Sequence, residues 1–290
     1  METDRYARQV LAFGEEGQRK IEAAYVGIVG LGGIGSHLAQ GLAYLGVGSF
    51  VLVDNDHVDV TNLNRLIGAA PPDAESETLK VDVTERLIRQ INPRATVCKV
   101  PRNLRSRDAI QALLCCPVIF GCVDHDGPRL VLMELAAAYK LILIDSATEI
   151  IREGDKLSEF GGRVLVTRPG EFCLNCANQI DMEIAKQELE VPEVREARRR
   201  HGYGIGDVAP APSVVSLNGV IANIAVSEFL VMMTGIRQPN RQTTYYGLRG
   251  NVNVRNDPRR EDCYVCGYLV GKHDEANIYR YISRADSNKR

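Results

Sequence analysis

Residues 26–36 of this 290-residue chain read VGIVGLGGIGS, an apolar run that leads into closely spaced glycines. The run predicts a short buried strand, and the glycines predict a turn that opens a helix. Gly30, Gly32 and Gly35 have the spacing G-x-G-x-x-G, in which backbone N–H groups and a helix N-terminus can hold a phosphate. A glycine in the middle slot lets the backbone approach a pyrophosphate, because it has no Cβ. Such turns also serve packing, so the motif alone is weak evidence for a nucleotide.

A second apolar strand strengthens the nucleotide interpretation. Residues 49–53 read SFVLV and are followed by Asp54, about 20 residues beyond Gly35. An acidic side chain at this place in dinucleotide-binding folds meets a ribose hydroxyl. The glycine turn and Asp54 together predict a nucleotide site.

Composition and charge limit the class of protein. The chain is 45% hydrophobic and 25% charged, as in ordinary globular proteins. Its net charge of −2 predicts no nucleic-acid partner and no membrane surface. The charged N-terminus does not read as a secretory signal, so we expect a cytoplasmic protein. The most apolar segment, residues 212–235, contains Asn218 and Glu228, which favours a buried helix over a membrane span.

Strands and helices alternate through the first half of the chain. This order predicts an α/β fold with a Rossmann-like, doubly wound, mostly parallel sheet and helices on both faces. Ligands then bind at the carboxyl ends of the strands, where Asp54 and Asp124 lie. The predicted elements after the second strand are helix Lys80–Ile91, strand Thr96–Val100, helix Arg107–Cys115, strand Val118–Cys122, helix Leu130–Tyr139 and strand Leu141–Asp145.

The pattern changes after residue 147. We predict one domain over residues 1–290, with a nucleotide-binding half (1–150) and a substrate-side half (151–290) that carries a C-terminal β and zinc portion. Residues 163–167 are predicted as a strand outside the first sheet, and residues 178–212 as a mobile crossover loop. The tail beyond Tyr279 is polar and is predicted to fray.

Two C-x-x-C units predict a zinc site. Cys173 and Cys176 form one pair and Cys263 and Cys266 the other, so the four thiolates can complete a tetrahedral, structural site. The 86 residues between the pairs exceed the spacing of a compact zinc finger. A redox C-x-x-C is the alternative, but it needs a thioredoxin-like context that the sequence does not show.

The other four cysteines are predicted to be small buried hydrophobes: Cys98, Cys115, Cys116 and Cys122.

Arg65, Lys80 and Asp124 favour a nucleoside triphosphate over a dinucleotide as the expected ligand. Arg65 and Lys80 follow the Asp54 strand on the ligand side of the sheet, and a triphosphate needs fixed cations that a dinucleotide does not. Asp124 follows the strand that ends at Cys122 and is a candidate Mg²⁺ ligand. Its alternative role is the N-cap of the next helix, and the spacing does not decide between them.

The chain resembles the activating enzymes of ubiquitin-like proteins, the E1-like group of ThiF/MoeB/HesA type that includes bacterial enzymes of molybdopterin and thiamine biosynthesis. The resemblance extends from Arg5 to about Gly267. It rests on these motifs in order: Arg5-Tyr6-Ala7-Arg8-Gln9, Gly30-x-Gly32-Gly33-x-Gly35, Asp54-x-Asp56, Asn62-Leu63-Asn64-Arg65, Lys80, Cys122-Val123-Asp124 and the paired C-x-x-C.

The resemblance implies a homodimer or pseudo-dimer that binds Mg·ATP at the glycine turn and adenylates the C-terminal carboxylate of a ubiquitin-like protein. By resemblance, Asp54 holds the ribose, Asp124 binds Mg²⁺, and Arg8 reaches into the partner subunit's site. The phosphates are surrounded by Asn62, Asn64, Arg65 and Lys80. The complete set of implied nucleotide-binding residues is Gly30, Gly32, Gly33, Gly35, Asp54, Asp56, Asn62, Asn64, Arg65, Lys80 and Asp124.

The sequence departs from many relatives in one respect that bears on chemistry. No cysteine lies between Cys176 and Cys263, where relatives carry one that takes the acyl group as a thioester. We therefore expect the acyl-adenylate to pass directly to a sulfur donor, an E2-like partner or another nucleophile.

Three other functions remain open at this point. One is an NAD(P)-dependent oxidoreductase, in which Arg65, Lys80 and the cysteine pairs have no role. Another is a non-catalytic scaffold subunit, against which the retained Arg8 and Asp124 argue. The third keeps the adenylation but uses a tRNA-bound threonyl group or a short peptide as the carboxylate.

Overall fold

The computed structural model describes residues 5–191, 193–194 and 211–282. The strands are β1 Tyr25–Val29, β2 Ser49–Val53, β3 Thr96–Val100, β4 Val118–Gly121, β5 Ile142–Glu153, β6 Lys156–Thr167, β7 Gln242–Tyr246 and β8 Asn251–Arg255. The helices are α1 Ala7–Glu22, α2 Gly33–Leu45, α3 Pro71–Glu75, α4 Lys80–Ile91, α5 Arg107–Leu113, α6 Asp126–Tyr139, α7 Met182–Leu189 and α8 Val215–Thr234. All eight strands belong to one sheet in the order β3-β2-β1-β4-β5-β6-β7-β8.

The first five strands are parallel, as predicted. Val29 pairs with Val53 of β2 and with Gly121 of β4, so the three strands end at the same level. The strand order reverses at β1, since β2 lies on one side of it and β4 on the other. This reversal opens a crevice at the carboxyl ends of the strands. Because the glycine turn follows β1, it lies in that crevice.

The second half of the sheet differs from the prediction. Residues 163–167 do not lie outside the first sheet, because β6 pairs antiparallel with β5 from Leu143–Thr167 to Glu153–Lys156. β5 continues eight residues beyond Asp145 to Glu153, and Gly154 turns the chain with a φ of +62°. β7 and β8 then extend the sheet, also antiparallel. The sheet is therefore mixed but mostly parallel, as predicted, and its C-terminal strands join the same sheet.

Helices cover both faces of the sheet because strand residues alternate in direction. Val26 and Ile28 of β1 belong to the core beneath α1, α2, α4 and α8, whereas Val29 belongs to the core beneath α5 and α6. The second core also includes Phe172 and the four paired cysteines. The C-terminal half thus completes both faces of the sheet.

The apolar segment predicted as a buried helix forms α8. By length and composition alone α8 could cross a membrane. In the fold it packs against α2, β5 and β6, and Phe229 is fully buried with its ring 5.7 Å from that of Phe120. Asn218 and Glu228 are also buried. Burial in the core accounts for part of the apolar character of this helix, since eight of its 20 residues are buried.

The predictions for the crossover loop and the tail have different outcomes. The first part of the crossover segment forms α7, which packs against α6; residues 192 and 195–210 lie outside the described residues. The tail is not frayed directly after Tyr279, because Arg280 and the Tyr281 hydroxyl both donate to the buried carboxylate of Glu134 on α6. Tyr264 donates to the same carboxylate at 2.7 Å. Residues 283–290 are not described.

We predict that Phe229→Ala lowers the free energy of unfolding by about 3–5 kcal/mol, since it leaves a cavity against Phe120. Val220→Ala on the same helix is the control, because Val220 is exposed. Urea unfolding of the two variants measures the difference. Equal losses for both would show that α8 does not stabilise the fold through its buried face.

Candidate functional site

A cavity of about 650 Å³ lies at the carboxyl ends of the parallel strands. It brings together most of the predicted site residues: Gly30, Gly32, Gly33, Asp54, Asp56, Arg65, Lys80 and Asp124. Within the part of the chain that the structure describes, Arg8, Gly35, Asn62 and Asn64 are not on its wall. The sheet topology explains this gathering, because β1, β2 and β4 all end at this level.

The glycines of the turn serve two different purposes. Gly30 has a φ of +85°, and a Cβ there would lie 2.5 Å from the carbonyl oxygen of Cys122. A Cβ on Gly35 would lie 1.9 Å from the carbonyl oxygen of Gly30, so both glycines are required by packing of the turn itself. A Cβ on Gly32 would meet nothing within 4 Å. Gly32 therefore faces open space on the cavity wall, as the middle glycine of a phosphate-binding turn should.

Asp54 links the end of β2 to the glycine turn. Its Oδ2 accepts a hydrogen bond from the backbone N–H of Leu31 at 2.6 Å, and its Oδ1 accepts one from Asp56 at 2.8 Å. Burial raises the pKa of the Asp54 carboxyl, and the nearby Lys80 and the two N–H donors oppose that rise. A carboxylate has about four acceptor positions, so Asp54 retains capacity for a ribose hydroxyl.

Two of the four arginine and lysine residues on the cavity wall, Arg65 and Lys80, are held by the loop after β2. Lys80 is the first residue of α4, its side chain is 12% exposed, and its Nζ lies 2.8 Å from Asp56 Oδ2. Arg65 donates to the carbonyl oxygen of Thr61 and to Asn64 Oδ1. Both cations therefore stand on the cavity wall beside the glycine turn. Their charge is positioned for an anion.

Asn62 and Asn64 shape the loop rather than the cavity wall. Asn62 Oδ1 accepts from the backbone N–H of Asp59 at 3.2 Å and caps a 3₁₀ turn, Val60–Asn62. Asn64 accepts from Arg65. That these amides surround the phosphates stays a prediction. Arg8 is exposed on α1, and its reach into a partner subunit also stays a prediction.

Asp124 carries an open carboxylate on the cavity wall. Its side chain is 88% exposed, and His125 Nε2 lies 3.8 Å from Oδ1. The alternative role as a helix cap is wrong, because the N-cap of α6 is His125. An exposed carboxylate after β4, on the wall of the cavity that Arg65 and Lys80 also line, suits a divalent cation.

Sequence reasoning missed several polar residues of the cavity wall, of which Asn218 and Arg129 make the most contacts relevant to the site. Asn218 on α8 is 1% exposed and lies directly over the turn, since a Cβ on Gly33 would be 2.1 Å from its Nδ2. Asn218 also accepts from Thr148 and donates to Ser213, at 3.5 and 3.0 Å. An asparagine near the start of a predominantly apolar helix was the available signal. Arg129, five residues after Asp124, is the second, and no motif distinguished it.

The four paired cysteines converge as predicted. Their Sγ atoms all lie within 4.8 Å of one another, and all four residues are buried. Cys173 Sγ lies 3.5 Å from Cys263 Sγ, and Cys176 Sγ lies 3.8 Å from Cys266 Sγ. Four sulfurs at about 2.3 Å from one zinc ion are about 3.8 Å apart, so the cluster fits zinc. Burial disfavours the Cys263 thiolate, but hydrogen bonds from Cys266, Asn175 and the neighbouring thiols outweigh it and lower its pKa to about 7.

The remaining cysteines divide into two groups. Cys116 is buried as predicted, whereas Cys122 is only partly buried. Burial raises the pKa of Cys116 to about 12 and that of Cys122 well above its usual range. Cys98 and Cys115 were predicted wrongly, because both are exposed. Cys98 lies on β3, which is an edge strand and is only partly covered. Cys122 borders the cavity as a neutral thiol, which is a poor nucleophile.

Comparison with known proteins identifies the family. The model of the ThiF family matches residues 6–275, almost the whole of the described chain. The chain belongs to the ThiF family. A sulfur carrier protein adenylyltransferase from Thermus thermophilus is 28% identical over 279 residues, covering 92% of this chain and 91% of that protein. The sulfur carrier protein ThiS adenylyltransferase of Escherichia coli is 26% identical, covering 91% and 94%.

A third relative matches more closely over a shorter stretch. The adenylyltransferase and sulfurtransferase uba4 of Aspergillus terreus is 35% identical over 152 residues, which are 52% of this chain and 31% of that protein. This ThiF-family chain thus spans about a third of the length of that relative. The relatives that match throughout are named adenylyltransferases, and the prediction of an E1-like adenylyltransferase is confirmed at that level.

Solved structures support the fold. The crystal structure of E. coli MccB with ATP has a TM-score of 0.69 and 21% identity, covering 92% of this chain and 75% of MccB. MccB with the peptide variant MccA-N7isoASN has a TM-score of 0.72 at 20% identity, covering 92% and 76%. At this identity the likeness shows a shared fold, which agrees with the Rossmann-like prediction.

We predict that Gly32→Ala and Gly35→Ala separate ligand binding from packing. Gly32→Ala leaves the free energy of unfolding close to wild type and weakens ATP binding, because its methyl group enters the cavity. Gly35→Ala destabilises the protein by about 1–3 kcal/mol, because its Cβ meets the Gly30 carbonyl oxygen. Urea unfolding and calorimetric ATP titration measure the two effects. A Gly32→Ala protein that binds ATP as wild type does would contradict the assignment.

We predict one zinc ion per chain, bound by the cysteine cluster. Its removal by a strong chelator lowers the thermal unfolding temperature, because metal binding stabilises only the folded arrangement of the four ligands. Cys263→Ser removes the zinc, whereas Cys98→Ser, at an exposed thiol outside the cluster, leaves it in place. Elemental analysis and thermal melts provide the measurements. Full zinc content in Cys263→Ser would refute the site.

Proposed function

We propose that this ThiF-family enzyme adenylates the C-terminal carboxylate of a ubiquitin-like protein, using Mg·ATP bound at the glycine turn. The observation that carries the proposal is the single cavity that joins an open Gly32, the cations Arg65 and Lys80 and the exposed carboxylate of Asp124. A dinucleotide oxidoreductase has no use for these cations. The names of the relatives, which act on sulfur carrier proteins, favour a carrier-type substrate.

Different residues of the cavity would bind different parts of Mg·ATP. The backbone around Gly32 and the N-terminus of α2 would receive the phosphates, and Asp54 would accept from the ribose. Arg65 and Lys80 would neutralise the phosphate charge. Asp124 would hold Mg²⁺, which adds positive charge at the triphosphate. The wall formed by residues 146–148 and Asn218 leaves space beside the turn for an extended chain end.

The chemistry follows from charge. A carboxylate oxygen of the substrate attacks the α-phosphorus, the bond to the β-phosphate breaks, and pyrophosphate leaves with the electron pair. No general base is required, because the attacking carboxylate is already ionised at neutral pH. The barrier arises mainly from bringing two anions together. Positioning and charge neutralisation by Arg65 and Lys80 lower it.

The next step is proposed to occur without a covalent thioester at the usual place. The segment between Cys176 and Cys263 has no cysteine, and Cys122 borders the cavity as a partly buried neutral thiol. We propose direct transfer of the acyl group to a sulfur donor or an E2-like partner. A homodimer in which Arg8 completes the partner subunit's site, and a cytoplasmic location, belong to the same proposal.

We predict that the protein catalyses exchange of labelled pyrophosphate into ATP when a ubiquitin-like protein ending in glycine is present. Asp124→Asn lowers the exchange rate by about 10²-fold, because it removes the metal-binding charge. Asp155→Asn, in the turn between β5 and β6 and outside the cavity, leaves the rate unchanged. No exchange with any such substrate, or an equal rate in Asp124→Asn, would overturn the assignment.

A further inference from the structure

A buried ion cluster lies beneath the cavity, at the point where β5 leaves the parallel part of the sheet. Asp145 is 0% exposed and pairs with Gly121 of β4, where a Cβ would lie 3.2 Å from Asp145 Oδ1. Arg163 Nη1 donates to Asp145 Oδ2 at 2.5 Å. On the other side, Arg129 Nε lies 3.6 Å from Asp145 Oδ1. One buried carboxylate is thus shared by two arginines from different elements.

Arg129 connects this cluster to the turn that carries Asp124. Its Nη2 donates to the carbonyl oxygen of Val123 at 2.8 Å, and its Nη1 donates to Asp126 Oδ1 at 3.2 Å. The two acceptors stand on either side of Asp124 in the sequence. The Arg129 side chain is 12% exposed, so these hydrogen bonds are mostly shielded from water. The contact of Arg129 with Asp145 is an ion pair rather than a hydrogen bond, because neither Arg129 Nε nor Asp145 Oδ1 has a hydrogen-bond partner among the described residues.

Asp124 lies between these two acceptors in the sequence, but its own side chain is exposed. The Asp124 side chain is 88% exposed, and its backbone is what fixes its position on the cavity wall. Arg163 has no comparable contact with this turn. Its second hydrogen bond goes to the carbonyl oxygen of Gln179 at 3.1 Å, toward α7.

We propose that Arg129 is a positioning residue for divalent-cation binding. Anchored by Asp145, it holds the backbone of residues 123–126 so that the Asp124 carboxylate stands where Mg²⁺ is needed. Arg129 differs from Arg65 and Lys80, because its two acceptors, on Val123 and Asp126, lie on either side of Asp124 in the sequence. The inference rests on the proposed role of Asp124 in binding Mg·ATP.

Two matched substitutions test the inference. Arg129→Lys keeps a positive charge beside Asp145 but cannot hold Val123 and Asp126 together. Arg163→Lys keeps the same charge on the other side of Asp145 and leaves the turn untouched. Thermal melts first establish that both variants fold.

The first measurement is hydrogen exchange of the backbone amides, which needs no substrate or metal. We expect Arg129→Lys to exchange faster than wild type over residues 124–127, and Arg163→Lys to match wild type there. The second is Mn²⁺ binding to the protein–ATP complex, followed by the electron paramagnetic resonance signal of free Mn²⁺. We expect Arg129→Lys to weaken Mn²⁺ binding by roughly tenfold, as loss of a supporting contact around a metal ligand does, and Arg163→Lys to change it less than twofold.

The outcomes separate this inference from the proposed function. Unchanged exchange over residues 124–127 in Arg129→Lys, or equal Mn²⁺ affinities in the two variants, overturns the positioning role while wild type still binds Mn·ATP. If wild type does not bind Mn²⁺ with ATP and Asp124→Asn makes no difference, the proposed function fails and the inference fails with it. Faster exchange together with weaker Mn²⁺ binding, confined to Arg129→Lys, supports it.

Discussion

The contact between the Asp54 carboxylate and the N–H of Leu31, at 2.6 Å, is the interaction on which the cavity depends. It joins the end of β2 to the glycine turn after β1, and it is possible because the two strands end at the same level. The other oxygen of Asp54 holds Asp56, which in turn pairs with Lys80 at the start of α4. These contacts fix the ends of β1 and β2, the glycine turn and the start of α4 relative to one another without a bound ligand.

Sequence could predict those features whose causes are local. Lys80–Ile91 was predicted with the observed bounds, because its apolar residues recur with the helical period and Asn92-Pro93 ends it. The strands before Asp54 and Asp124 are short apolar runs bounded by turns. Each C-x-x-C unit by itself indicates metal binding. That the two units, separated by 86 residues, form one site could only be inferred because structural zinc requires four ligands. Topology then placed the strand-end residues on one edge of the sheet.

The rest depended on contacts between distant segments. The extension of β5 beyond Asp145 is largely exposed and not strongly apolar, so nothing local distinguished it from a loop, and its partner β6 was assigned outside the sheet. Asn218 reaches Gly33 only because α8 crosses the glycine turn. From sequence alone, a charged residue such as Arg129 is expected on the surface, because its buried partner Asp145 is not apparent. The exposure of Cys98 follows from the position of β3 at the sheet edge, which strand order alone reveals.

The late position of α8 in the chain has a consequence for protein synthesis. The strands that form the parallel sheet are complete by residue 145, but α8, which covers their α2 face, ends at Thr234. Until the ribosome has released that helix, Phe120 has no Phe229 to pack against, and the sheet presents apolar surface to solvent or to chaperones. A nascent chain that stalls between these points carries an assembled glycine turn on a half-covered sheet, and it must be protected or degraded.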